Sequence, residues 1–399
     1  MSPRSRTLAK ASRLLLNRAE TRLGCRQLRS LPSSVDVVLT KACNLACSFC
    51  RDYEHEGSKK LSKENMERIA AQLFPAAGWV NICSGGEPYL HPGLEHILRL
   101  AKAHDAKTWV LSNAMLLQEA RLWSIVEENL INLHGFSVDG LKPKTVEAIR
   151  VHSGLGTILK NIDMLFDLRR RAEQAEPGIV IRYALMRRNI EELPEAMRYW
   201  GERGATRLDC GYLVLANGIE REESLFFHQD LMQRIFDEAR EVASHFPETE
   251  LRLPPSVLED QAKAHKPVSC KAPWDFVMVD TSGTILPCYR SFEALQMGNI
   301  LEPDAPTFEE LWNSPAYQAL RNTVNQSGPK VEGGYGYCRV CENRYGWSSL
   351  DVHLGDETWI KQAFGDGEAG LGIDHRRKGF REMPAVPPAD SPSGETETN

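Results

Sequence analysis

Between Val35 and about Leu215 the chain alternates short runs rich in β-branched and aromatic residues with longer amphipathic stretches. This alternation constrains the fold more than any other feature. A chain that inserts a helix between successive strands covers both faces of a sheet only when the strands run parallel. Six strands are expected, VDVVLT (35–40), WVNICS (79–84), TWVLS (108–112), LHGFSVD (133–139), IVIRYAL (179–185) and RLDCGYLVL (207–215). Helices are expected near 61–73, 92–105, 115–128, 156–173 and 192–203, with Pro92 and Pro194 near helix starts, where a missing amide donor costs little. Six units fall short of the eight that close a barrel, so the expected fold is α/β, an open, partial (β/α)6 TIM-like barrel.

A further helix near 224–245 leads into LRLPPSV, whose paired prolines mark a boundary. The expected organisation is an N-terminal arm over 1–32, the barrel over 33–250, a smaller module over 251–350 and a C-terminal segment over 351–399. That last segment ends in a tract rich in Gly, Pro, Ser and Glu, which buries too little apolar surface to offset the entropy of ordering, so a largely disordered tail is expected. The arm has eight Lys and Arg residues against Glu20 alone, with Leu8, Leu15 and Leu23 at helical spacing. It reads as a basic amphipathic helix packed outside the barrel, with peripheral membrane contact as the alternative. It lacks the apolar stretch and cleavage site of a secretory signal, and no apolar run is long enough to cross a bilayer, so a cytoplasmic location is expected. A net charge of −6 provides no general attraction to nucleic acid, and no such partner is expected.

Ten cysteines in a chain without an export signal point to metal binding or redox chemistry rather than disulfides. Cys43, Cys47 and Cys50 lie in TKACNLACSFC, directly after the first strand, at the end where barrel enzymes place their chemistry. A structural zinc site wants four protein ligands, here Cys83 or a nearby His in addition, whereas three thiolates on a cubane cluster leave one iron open. CSGGEP (83–88) follows the second strand. There Gly85 and Gly86 would let the backbone approach a ligand closely, and Glu87 could accept hydrogen bonds from an ammonium group. LSNAM contributes Ser112 and Asn113 after the third strand, and FSVDG contributes Ser137 and Asp139 after the fourth. These polar groups suit a sugar diol and an amino-acid backbone, and they suit helix caps and turns equally.

The C-x-x-x-C-x-x-C triplet, with Phe49 before its third cysteine and GGEP after the next strand, resembles the signature of the radical S-adenosylmethionine superfamily. The resemblance implies a [4Fe–4S] cluster on Cys43, Cys47 and Cys50 that binds S-adenosylmethionine. The methionine amino group would sit on Gly85, Gly86 and Glu87, the ribose and carboxylate near Ser112, Asn113, Ser137 and Asp139, and the adenine near Phe49. No G-x-I-x-G-x-x-E segment follows the fifth strand, so further adenine contacts are unassigned. An external electron donor such as flavodoxin or ferredoxin is implied, as is reductive cleavage to a 5′-deoxyadenosyl radical that takes a substrate hydrogen.

CKAPWDFVMVDTSGTILPCYR (270–290), MGNI, LWNSPAYQALR and the C-x-x-C at 338–341 resemble the SPASM and twitch extensions of that superfamily, including the G-x-x-x-x-C element from Gly283 to Cys288. Full SPASM domains carry seven cysteines, whereas Cys270, Cys288, Cys338 and Cys341 are the four available here. Four thiolates complete one auxiliary [4Fe–4S] cluster suited to electron transfer, although a set of four cysteines also suits structural zinc. Sulfatase-maturing relatives carry an Asp base directly after the cysteine aligned with Cys288. This chain has Tyr289 there, which leaves the base open among Tyr289, Arg290, Asp209 and others. The expected reaction is oxidation or epimerisation of a small polar metabolite such as a sugar or aminocyclitol, because the N-terminal arm is too short for a fused leader-binding domain. Modification of a ribosomally made peptide is the alternative. A non-enzymatic iron–sulfur or zinc sensor is a third reading, disfavoured by GGEP and the triplet.

Overall fold

The computed structural model describes residues 3–50, 59–213, 221–255, 269–289 and 295–325. The chain begins with α1 (Pro3–Leu23), β1 (Ser34–Val37), β2 (Ala46–Cys47), α2 (Lys63–Leu73), β3 (Trp79–Ile82), α3 (Leu94–Ala103), β4 (Lys107–Ser112) and α4 (Glu119–Glu127). It continues with β5 (Leu133–Ser137), α5 (Pro143–Ile149), β6 (Arg150–Val151), α6 (Leu155–Arg171), β7 (Gly178–Leu185), α7 (Leu193–Glu202), β8 (Arg207–Tyr212), α8 (Gln229–Ser244) and β9 (Glu250–Arg252). It closes with α9 (Ala272–Asp275), β10 (Phe276–Val279), β11 (Ile285–Leu286), α10 (Phe308–Trp312) and α11 (Pro315–Thr323). All six expected strands are present, each overlapping the run that announced it, with β1, β4 and β7 starting one residue earlier.

The helices form for local reasons. Ser62 caps α2 by accepting from the Asn65 amide, and Met66, Ile69, Ala70 and Leu73 form its buried stripe. Ile158, Ile162, Leu165 and Leu168 do the same on α6. Fully burying each of the Met, Ile and Leu side chains is worth about 1.5–3 kcal/mol. On the strands, alternate residues divide between helix-facing and inner faces. Ile179, Ile181, Tyr183 and Leu185 of β7 join the core, which leaves Arg182 and Ala184 on the inner side.

The sheet runs in the order β11-β10-β1-β3-β4-β5-β7-β8-β9, parallel throughout except for the β10–β11 hairpin. It extends past the six expected strands on both sides. β9 adds to β8, and β10 pairs in parallel with β1 from Ser34↔Phe276 to Val37↔Val279. The module expected from residue 251 onward is therefore stitched to the first barrel strand, a pairing between segments too distant in sequence for periodicity to reveal.

The arm is docked as well. Asn17 Nδ2 donates to Trp274 O at 2.7 Å, Glu20 accepts from the Arg29 and Ser30 amides, and Trp274 Nε1 donates to Cys25 O at 2.7 Å. These bonds tie α1 to α9, while Leu15 and Leu23 remain exposed. Among the described residues no helix is long and apolar enough to cross a membrane. Arg290, Cys338, Cys341 and the expected tail lie outside the described residues.

Candidate functional site

The cysteine loop follows β1 and is pinned from two directions. On one side, β2 pairs antiparallel with β6, setting Cys47 opposite Arg150, and the Ser48 amide donates to Ile149 O at 2.9 Å. On the other, the Gly86 amide donates to Thr40 O at 2.7 Å and the Glu87 amide to Ala42 O at 2.8 Å. The two glycines make this second contact sterically feasible. A Cβ on Gly86 would lie 1.9 Å from Ala42 O, and one on Gly85, whose φ is +84°, would lie 2.6 Å from Val38 Cγ1. The expected close approach is therefore made to the backbone of the cysteine loop, because the second barrel loop must pass directly beneath the first.

Glu87 is 3% exposed and accepts three hydrogen bonds, from the Tyr89 amide at 3.1 Å, Ser112 Oγ at 2.8 Å and the Asn113 amide at 2.8 Å. Burial pushes its carboxyl up to about 6 against the pull of these donors. The Asn113 side chain continues the network, donating to Asn44 Oδ1 at 2.9 Å and lying 3.8 Å from Cys43 Sγ. Residues from three separate loops, Cys43, Glu87, Ser112 and Asn113, thus meet in one place.

Ser137 ends β5 in register with Arg182. Asp139 is fully buried, its Oδ1 accepting from the Ala184 amide at 2.7 Å and its Oδ2 lying 2.7 Å from Arg150 Nε. The Arg150 guanidinium in turn lies 3.7 Å from Cys47 Sγ and 5.5 Å from the centre of the Phe49 ring. Sequence reading missed Arg150. Nothing local marks an arginine after a short helix, and only the β2–β6 register brings it to the cysteine loop. Burial raises the Cys43 and Cys47 thiols, opposed at Cys43 by the Leu45 amide and at Cys47 by the charge of Arg150.

Cys43, Cys47 and Cys50 are half-buried on this single loop. Soft sulfur donors met by amide groups and one guanidinium fit a thiolate-held iron–sulfur cluster. Among the described residues no three His, Cys, Asp or Glu side chains converge on a single metal ion. In the auxiliary region, Gly283 takes φ +90° in a turn where Asp280 Oδ1 accepts from the Ser282 and Thr284 amides. β11 then leads to Cys288, while Asn325 clamps Cys270 through its backbone amide and carbonyl at 2.7 and 2.9 Å. Of the candidate bases, Tyr289 has its phenol raised, by burial and then by the Asp36 charge. Asp209 Oδ2 lies 2.6 Å from Arg182 Nη1.

The family model of the radical SAM superfamily matches residues 37–199, and that of the SPASM iron–sulfur cluster-binding domain matches residues 270–342. The chain is 24% identical over 327 residues to a PqqA peptide cyclase of Gluconobacter oxydans, covering 79% of this chain and 84% of that protein. It is 22% identical over 329 residues to the antilisterial bacteriocin subtilosin biosynthesis protein AlbA of Bacillus subtilis, covering 78% and 67%. Its fold is similar to that of Streptococcus suis SuiB bound to S-adenosylmethionine, with a TM-score of 0.61 at 17% identity over 77% of this chain and 72% of that one. The chain belongs to the radical SAM superfamily, an enzyme whose barrel takes a [4Fe–4S] cluster with S-adenosylmethionine and whose C-terminal SPASM domain binds auxiliary iron–sulfur clusters.

Proposed function

We propose that this enzyme modifies a peptide by removing a hydrogen atom from one of its residues, after which the substrate radical passes one electron to the auxiliary domain and releases one proton to a base or to water. The observation that carries the reading is similarity to proteins named for peptide chemistry, which spans barrel and auxiliary domain together. It favours the peptide over the sugar or aminocyclitol expected from sequence.

When bound, the cluster and S-adenosylmethionine supply a 5′-deoxyadenosyl radical, and the protein supplies placement and exclusion of water. In this reading Cys43, Cys47 and Cys50 hold the cluster. Glu87, fixed by Ser112 and Asn113, keeps lone pairs for the methionine ammonium. Phe49, backed by Arg150, offers a face to the adenine. Ser137 is left for the ribose and methionine carboxylate, while Asp139 acts through Arg150. Cys270, Cys288, Cys338 and Cys341 hold the auxiliary cluster. Because β10 is hydrogen-bonded along β1, the Cys288 hairpin and the Cys43 loop extend from one continuous sheet.

The test is anaerobic reconstitution and reduction in the presence of S-adenosylmethionine and short peptides encoded beside the gene. The expected result is 5′-deoxyadenosine together with a peptide that has lost a pair of hydrogens, both abolished by Cys47→Ala. Peptides returned unmodified while a sugar or aminocyclitol is dehydrogenated would overturn the reading.

A further inference from the structure

The inner face of the barrel carries charge that the cysteine and Glu87 network leaves unused. Asp36 on β1 is fully buried, accepting from Ser84 Oγ at 3.1 Å. Across the sheet, β7 and β8 pair Arg182 with Asp209. The Asp209 side chain is only 9% exposed, and its Oδ2 lies 2.6 Å from Arg182 Nη1 and 3.6 Å from Arg207 Nε. Arg182 differs from both carboxylates, because its side chain is 42% exposed. The charge that a solute inside the barrel meets is therefore the guanidinium, while Asp209, which holds it, and Asp36 are hidden.

Local geometry supports a second partner for that guanidinium. Asp209 engages Nη1, and a guanidinium has five N–H donors in a rigid fork that accepts carboxylates side-on. Beside Nη2 stands Gly211, where a Cβ would lie 3.8 Å from that nitrogen, so backbone without a side chain leaves space at this edge of the fork. The Tyr289 phenol and the Cys83 thiol are near enough to feel the Arg182 charge. Arg182 thus lies on the barrel interior, on β7 beside β8.

We propose that Arg182 anchors an acidic side chain of the peptide, with Asp209 as the positioning residue that fixes its guanidinium. The proposal rests on the peptide reading above and narrows it to substrates with Asp or Glu close to the residue that loses hydrogen.

The test pans a displayed library of random peptides on unreduced protein, reconstituted with iron and sulfide and loaded with S-adenosylmethionine. Wild-type selections should favour Asp and Glu over Asn and Gln by about tenfold at one position, the ratio expected for one charge-assisted contact. Arg182→Gln should abolish that preference and Arg182→Lys should keep most of it, compared at equal iron content and melting temperature. Gly211→Val, which fills the space beside Nη2 without removing a charge, should also reduce it and serves if Arg182→Gln does not fold. Acid-neutral selection by the wild type, or an acidic preference that survives in Arg182→Gln, overturns the proposal. A loss of S-adenosylmethionine affinity in Arg182→Gln with the peptide preference intact also overturns it, because the carboxylate held would then be that of the methionine. Failure of the wild type to select any peptide would instead sink the peptide reading itself.

Discussion

Asp139 Oδ2 lies 2.7 Å from Arg150 Nε in an ion pair that is almost fully enclosed, with the two side chains 0% and 10% exposed. The pair links the loop after β5, through Asp139, to the cysteine loop, through the contact of Arg150 with Cys47. Removing one partner strands the other charge. Asp139→Asn should therefore destabilise the iron-free protein by about 3–5 kcal/mol in urea unfolding. Adding Arg150→Met should recover part of that loss, whereas additive effects would show the two residues to be independent.

Glycine substitutions should separate steric necessity from mere helix propensity. Gly86→Ala drives a Cβ into Ala42 O and should displace the cysteine loop, lowering iron content and 5′-deoxyadenosine yield together. Gly156→Ala, within α6 and with no atom inside 4 Å of the added carbon, should stabilise the protein by about 0.5–1 kcal/mol in the same unfolding assay.

Stability should depend on pH through Glu87. Its carboxyl rises from 4.5 to about 6 on folding, so the native state holds the proton more tightly than the unfolded chain. The associated stability is fully present below pH 4.5 and is lost as pH rises through about 6, a change of about 2 kcal/mol. The difference in unfolding free energy between wild type and Glu87→Gln, measured on iron-free protein at several pH values, should change across that window. A flat difference would show that the carboxyl is not perturbed.

The auxiliary cysteines should be separable from radical formation. With all seven clustered cysteines intact the protein should hold about eight irons, and replacing Cys338 and Cys341 with Ala should leave about four. In that variant 5′-deoxyadenosine should still form while the modified peptide disappears. Full iron retention, or a native content of about four irons with one zinc, would assign the auxiliary four-cysteine set a structural role.

Much of the site was legible because its chemistry is local. The triplet, the Gly-Gly-Glu turn and the Ser112–Asn113 pair each follow a strand, and a parallel sheet collects whatever follows its strands at one end. Glu87 illustrates the limit of that reading. Its residue type indicated a carboxylate in the site, but not that three donors would already hold it.

By itself the sequence determined the alternation of strands and helices, the sulfur ligands and the presence of a second cysteine set, because period, residue type and short spacing are properties of neighbouring residues. Only the tertiary structure decided that FVMV at 276–279 would lie along β1, that Arg150 would reach Cys47, and that Arg182 would be exposed inside the barrel while Asp36 and Asp209 are buried. Those outcomes depend on register between strands and on which of two faces a side chain takes, and both are set by packing among segments far apart in the chain.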